Sequence, residues 1–336
     1  MRARRSLSGR ARLSIPLAWR LWALLTFHGT APGLKVMQTA ASASYSQPEH
    51  SAQEQARRLA TRLHRLRLIL AFAWARGHSL QDRMRLAYYA GFKPAFAARG
   101  LTTYSPEKLL QFKLRAPAWD CFTVCSRDCG DDIGTIVEFF SRMRQLVPPD
   151  LPALEPRVVF DIGAHIGIAS LFLASYYPSA RFYGFEPLPS NYNVCRLNYQ
   201  GLAGSKAFPW AISSASGTRG FRFGEGDLRG GCLAGGAPPL SASLRDQVQV
   251  EVRSVHDLVV TDKFDPPEFL KIDVEGAEFE VLTGLGVAER SVRRIWLETH
   301  GPEVRARCIE WLGAHGFAIH NLGEDRPGCG LVWGDR

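Results

Sequence analysis

From Glu49 to Arg76 the chain carries no proline or glycine, and apolar residues recur at Leu59, Leu63, Leu66 and Leu70. That three-to-four spacing predicts one long amphipathic helix, with Arg and His residues on its other face. Residues 77–150 are shorter mixed segments, among them DDIGTIVEFFSRM at 131–143, and they end in the breaker VPPDLP, where Pro148 and Pro149 mark a boundary. Beyond it the period changes. Short β-rich runs (VVFDIG, RFYGFEP, AFPWAIS, FLKIDVEG, IWLETHG, FAIHNL and LVW) alternate with helical stretches over residues 158–333. This alternation predicts an α/β domain with a doubly wound, mostly parallel sheet, preceded by a largely helical N-terminal extension. Between 214 and 240 glycine accumulates and the period is lost, so that stretch reads as a loop or hairpin excursion. The chain thus divides into residues 1–48, 49–150 and 151–336.

Composition alters this picture mainly at the N-terminus. The net charge of +9 over 336 residues suggests nucleic acid or a membrane until its position is checked. Residues 1–48 hold seven of the 41 basic residues (Arg2, Arg4, Arg5, Arg10, Arg12, Arg20 and Lys35) and no acid, which leaves 34 basic against 32 acidic residues in the rest. The body is near neutral, so nucleic acid is not an expected partner. The stretch LSIPLAWRLWALLTF at 13–27 is broken by Pro16 and Arg20 and is too short for a transmembrane span. Residues 1–48 read first as a disordered segment outside the fold, then as a cleaved segment or one that touches a membrane surface. Seven mostly scattered cysteines fit a reducing, cytoplasmic setting better than a disulfide framework. Cys121, Cys125 and Cys129 are clustered as Cys-x3-Cys-x3-Cys, which matches no common zinc or iron–sulfur spacing and reads as small buried residues at helical spacing.

The chemistry begins in VVFDIGAHIG. A dinucleotide loop opens with glycine where this run has Asp161, and a carboxylate there would repel a pyrophosphate. S-Adenosylmethionine carries no phosphate, and the ammonium of its amino-acid part favours a nearby acid. Asp161, Gly163 and Gly167 therefore select the sulfonium cofactor. Glu186, 19 residues after Gly167 and at the end of the next strand, is placed to accept hydrogen bonds from a ribose diol.

With these pieces in place, VVFDIGAHIG, GFEPLPSNYNVCRLN, FLKIDVEGAEFEVLTGL and IWLETHG together resemble the FkbM-type S-adenosylmethionine-dependent methyltransferases over about residues 155–301. The resemblance implies a seven-stranded, Rossmann-like class I methyltransferase fold and methyl transfer to a hydroxyl of a small metabolite, polyketide, sugar or glycan. It adds His165, Pro187 and Asn191 to the cofactor set. His165 departs from the family pattern, which usually has asparagine there.

In such a fold the ligand crevice lies beyond the carboxyl ends of the strands. This singles out Asp273 and Glu275 after one strand and Glu298 and His300 after the next as catalytic candidates, with His300 the general base by its ordinary pKa. Lys271, Asp273 and Glu275 alternate and share a face if their strand persists. Asp161, Asp273 and Glu275 offer hard oxygen ligands, but no Asp-Asn metal pair accompanies them, so no metal is expected. Asp265-Pro266-Pro267 is a decoy for an amino-group methyltransferase motif, since it precedes the strand and Glu268 replaces the aromatic. The competing functions are N- or C-directed methyl transfer, or a methyltransferase-like binding protein without turnover.

Overall fold

A computed structural model describes residues 48–116, 119–143, 154–224, 227–233, 244–326 and 328–336. Residues 1–47 and the VPPDLP breaker lie outside the described residues, so the readings made on them are not addressed below.

The N-terminal region opens with α1 (Pro48–Arg76), α2 (Leu80–Ala87), a π-helical turn (Tyr88–Phe92) and α3 (Lys93–Ala97). A capping box starts α2: Ser79 Oγ accepts from Asp82 N, and the Asp82 carboxylate accepts from Ser79 N. The leucine stripe of α1 does not face the core. Leu59, Leu63 and Leu70 are exposed, and Ile69, Phe72 and Ala73 are buried instead. The buried stripe lies a fraction of a turn away, near the C-terminal end of α1, which packs against α2 and the hairpin that follows.

That hairpin is the main departure from a helical extension. β1 (Ser105–Ala116) and β2 (Trp119–Asp128) pair antiparallel before α4 (Gly130–Glu138) and a second π-helical turn (Phe139–Met143). Leu110, Phe112 and Leu114 alternate with polar residues along β1 and are buried on one face, a period of two. Cys121 and Cys125 lie on β2 and Cys129 just precedes α4, so the three do not sit on one helix as their spacing suggested. Cys121 is exposed, Cys125 and Cys129 are buried, and every cysteine is a free thiol.

The second region is built on β3 (Val158–Ile162), α5 (Ile168–Ala174), β4 (Arg181–Phe185), α6 (Pro189–Tyr199), β5 (Lys206–Phe208) and β6 (Trp210–Ile212). The excursion after β6 contains β7 (Gly217–Gly224), β8 (Asp227–Leu233) and β9 (Leu244–Arg253), which form with β6 a four-stranded sheet of their own. AFPWAIS is therefore split between two sheets. After α7 (Val255–Val260) the main sheet resumes with β10 (Phe269–Ile272), α8 (Glu278–Thr283), β11 (Arg294–His300), α9 (Pro302–Ala314), β12 (Ala318–Arg326) and β13 (Cys329–Asp335). The main sheet has seven strands in the order β12-β13-β11-β10-β3-β4-β5, with β13 antiparallel to both neighbours and the remaining pairs parallel.

Every residue of β3 and β10 is buried, as continuous apolar runs at the centre of a two-faced parallel sheet require. On one face Phe172, Trp296 and Trp333 join Phe112, Leu114, Val124 and Phe140 in a single core. The hairpin and α4 are thus packed onto the sheet, and one side chain fastens them. Asn198 of α6 donates to Cys125 O at 2.9 Å and Ile166 O at 2.7 Å, and its Oδ1 accepts from Cys125 N at 2.7 Å. No described helix is long and apolar enough to cross a membrane.

Candidate functional site

Strand order changes direction at β3, between β4 and β10, and the loops leaving these strands converge there. The first loop is DIGAHIG. Gly163 and Gly167 have φ of +76° and +82°, and a Cβ on Gly163 would lie 1.8 Å from Asp273 O. Only glycine lets the two loops touch. His165 also takes a positive φ of 50°, and its N–H donates to Glu186 Oε2 at 2.9 Å.

Glu186, at the end of β4, is 5% exposed and accepts from Leu188 N at 2.9 Å as well. Burial pushes its carboxyl up to about 7 despite those two N–H groups and Asn191. Asn191 Nδ2 lies 3.4 Å from Glu186 Oε1, and Asn191 Oδ1 accepts from Arg127 at 2.9 Å. Pro187, half-buried, bends the chain from β4 toward α6.

Asp161 is not at the loop surface. It is fully buried within β3, accepting from Ser170 Oγ at 2.7 Å and lying 3.2 Å from Lys271 Nζ. Lys271 donates to Gly163 O at 2.6 Å and lies 3.6 Å from Asp273. Burial lowers the pKa of this ammonium, but Asp161 and Asp273 outweigh it and hold the group charged. Asp161 therefore shapes the loop from below through Lys271, and direct contact with a ligand ammonium is not open to it.

The second cluster forms at the carboxyl ends of β10 and β11. The strand stops at Ile272, so Asp273 and Glu275 reach the site on a turn, Glu275 at φ 53° and Gly276 at φ 104°. The turn wraps the buried Glu278, whose Oε1 accepts from Gly276 N at 2.9 Å. His300 Nδ1 is 2.8 Å from the same oxygen, and its Nε2 is 3.5 Å from Glu275 and 3.9 Å from Asp273. Burial alone would lower the pKa of His300, yet Glu275, Glu278 and Asp273 raise it well above the ordinary histidine range. The carboxylates around it favour the protonated imidazole, so the surroundings of His300 do not fit the free histidine base expected from its ordinary pKa. Burial, then Asp273, raises Glu298 far above the usual carboxylate range.

Asp265 pairs with Arg181 at 2.7 Å, at the amino end of β4 and away from these loops, consistent with its reading as a decoy.

Comparison with known proteins follows this geometry. Residues 161–319, which contain both clusters, match the methyltransferase FkbM domain. The methyltransferase sdnD of Sordaria araneosa is 30% identical over 190 residues, which cover 48% of this chain and 73% of that protein. This chain belongs to the FkbM family of S-adenosylmethionine-dependent methyltransferases. The 31-O-demethyl-FK506 methyltransferase FkbM of Streptomyces tacrolimicus is 26% identical over 189 residues, 48% of this chain and 73% of that one. The hexuronic acid methyltransferase AglP of Haloferax volcanii is 28% identical over 149 residues, 44% of this chain and 58% of that one.

In this methyltransferase the sequence reading missed the part of the site that comes from the hairpin. Arg127, at the end of β2, is 5% exposed and grips Asp132 of α4 with Nε at 3.0 Å and Nη2 at 2.7 Å. The same Nη2 is 3.5 Å from His165 Nε2 and 2.9 Å from Asn191 Oδ1. Burial works against the Asp132 carboxylate, but Arg127 and His165 outweigh it and lower its pKa. The signal was present as SRDCGDD, where charges sit inside an otherwise apolar stretch.

Proposed function

We propose that the chain transfers the methyl group of S-adenosylmethionine to a hydroxyl oxygen of a small metabolite, polyketide or sugar. The observation that carries this reading is the half-exposed group of Asp273, Glu275 and His300 beside the Gly163 loop. The bound donor supplies an electrophilic methyl on a sulfonium. The residues around the loop fit such a molecule. The bare backbone at Gly163 and Gly167 admits close approach, and Glu186 offers carboxylate oxygens suited to a ribose diol and repellent to a pyrophosphate. Asn191 and Pro187 hold Glu186 in place, and Arg127 holds His165 from the hairpin side.

At the acceptor, an alcohol must be oriented and must lose a proton as its oxygen attacks in line. Because the carboxylates around His300 favour its protonated form, the proton acceptor is a carboxylate of the turn, Asp273 by preference, with His300 Nε2 3.9 Å from it. The names of the relatives support oxygen on a polyketide or a hexuronic acid as the acceptor class.

The test uses labelled donor and a panel of hydroxylated macrolides and uronic acid glycosides. Asp273→Asn is expected to slow methyl transfer ~10²–10⁴-fold with donor affinity retained. Glu186→Ala is expected to weaken donor binding by ~1.5–3 kcal/mol, the range for hydrogen bonds to a charged group. Unchanged donor affinity in Glu186→Ala would sink the assignment of the donor site, and undiminished transfer in Asp273→Asn that of the base.

A further inference from the structure

The second cluster brings acid and imidazole side chains from two loops to one half-exposed place. Asp273, Glu275 and Glu278 surround one imidazole, with Glu298 close enough to feel Asp273 and His300, and the nearest ammonium, Lys271, is shared with the buried Asp161. The ligating atoms of Asp273, Glu275 and His300 lie within 4.8 Å of one another. We propose that His300 Nε2, Asp273 and Glu275 bind a divalent cation of the manganese type, which takes the place of the proton on Nε2 and releases it to solvent, leaving coordination positions open toward the half-exposed side for oxygen atoms of the acceptor.

Three observations carry this. Bonds of about 2.0–2.2 Å place neighbouring ligand atoms roughly 3.0–3.9 Å apart for angles of about 90–135°. His300 Nε2 is 3.5 Å from Glu275 and 3.9 Å from Asp273 Oδ1 before any ion enters. Second, His300 is oriented as metal-bound histidines are, with Nδ1 on a carboxylate and Nε2 turned to the ligand side. That carboxylate, Glu278, is fully buried, and its Oε2 has no hydrogen-bond partner among the described residues. Third, Asp273 divides its oxygens, Oδ2 toward Lys271 and Oδ1 toward His300, so the ammonium does not occupy the ligating oxygen. One nitrogen with two carboxylates suits manganese or a neighbouring first-row ion better than calcium. The grouping of Asp161, Asp273 and Glu275 weighed from the sequence fails because Asp161 points into the sheet. His300, from the next strand, takes its place.

Binding of the cation stands on these residues alone, while its use by the acceptor rests on the methyl-transfer reading. The experiment titrates the chelator-treated full chain with Mn²⁺, followed by electron paramagnetic resonance, and titrates the same sample with S-adenosylmethionine by calorimetry. One Mn²⁺ per chain is expected, weakened at least tenfold in His300→Ala, Asp273→Asn and the conservative Glu275→Gln, with donor binding retained in all three. If wild type binds the donor and no Mn²⁺, or if the variants bind Mn²⁺ as wild type does, the metal site is overturned and the methyltransferase reading stands. If Mn²⁺ binds and the donor does not, the metal site stands and the donor reading fails.

Discussion

Two charged clusters lie within one turn of each other, and they are built to opposite rules. Under the glycine loop two buried carboxylates each have a cation beside them: Asp161 has Lys271, with Ser170, and Asp132 has Arg127. Beyond it, Asp273, Glu275 and Glu278 close on a single histidine, and Asp273 and Glu275 are half-exposed. Buried charges with a cation beside them hold a shape, whereas half-exposed charges keep an affinity for something that arrives. The two clusters meet where Gly163 touches the carbonyl of Asp273.

Breaking that meeting point has the largest expected effect. Gly163→Ala adds a methyl that overlaps Asp273 O and also places a side chain at φ +76°. The left-handed backbone alone costs about 1–2 kcal/mol, and the overlap must move one loop away from the other. A loss of more than about 4 kcal/mol in chemical denaturation, or donor binding abolished in whatever still folds, is expected. Wild-type stability with wild-type donor affinity would show that the two clusters are not coupled through this contact.

The next effect sharpens the contrast itself. Lys271→Met leaves the fully buried Asp161 with Ser170 alone, and removing one partner of a buried pair costs about 3–5 kcal/mol. Asp273→Asn, one turn further on, removes one charge from a crowded set and is expected to change stability by less than about 1 kcal/mol while turnover collapses. Equal destabilisation by the two variants would erase the distinction between the buried and the half-exposed cluster.

Glu186 stands between these cases, since it is buried with hydrogen bonds but without a paired cation. Its carboxyl is raised from 4.5 in the unfolded chain to about 7 in the folded one. The stabilising difference is therefore fully present below pH 4.5 and is lost as pH rises through 7. Over that window the ligand-free protein should lose up to about 3 kcal/mol relative to Glu186→Gln, which has no such ionisation. Parallel pH–stability curves for the two proteins would refute the raised pKa.

The contrast also explains what could be read from the chain. Apolar runs such as VVFDIG and FLKIDVEG announced their strands because both faces of those strands are buried. The donor candidates Gly163, Gly167 and Glu186 were legible because strand–loop spacing alone places them. The hairpin was missed although Leu110, Phe112 and Leu114 alternate plainly, because EKLLQFKLRA carries charges on its other face and reads as mixed. Arg127 and Asp132 were missed for a different reason. Their partner His165 is 33 residues further on than Asp132, and only tertiary packing brings them together. His300 stands at the end of its strand as the spacing placed it, but no sequence pattern shows the three carboxylates from the turn and α8 that close on its imidazole.

The smallest expected effect calibrates the scale at the opposite end of the sheet. Arg157, just before β3, places its guanidinium 2.8 Å from Glu268, just before β10, so this pair bridges the amino ends of the two strands whose carboxyl ends build the site. Its distance resembles that of Arg127 and Asp132 at 2.7 Å, but the Arg157 side chain is 86% exposed where that of Arg127 is 6% exposed. Water screens the exposed pair and the long side chain loses entropy to hold it, so such pairs contribute about 0.2–1 kcal/mol. Glu268 also accepts from the Arg157 backbone N–H at 2.9 Å, a bond that survives truncation of the side chain. Arg157→Ala should therefore cost less than about 1 kcal/mol, with donor affinity unchanged and the cost shrinking further in high salt. A loss above about 2 kcal/mol would show that burial does not separate the two pairs, and the division between shape-holding and ligand-seeking charge would then need a basis other than solvent exposure.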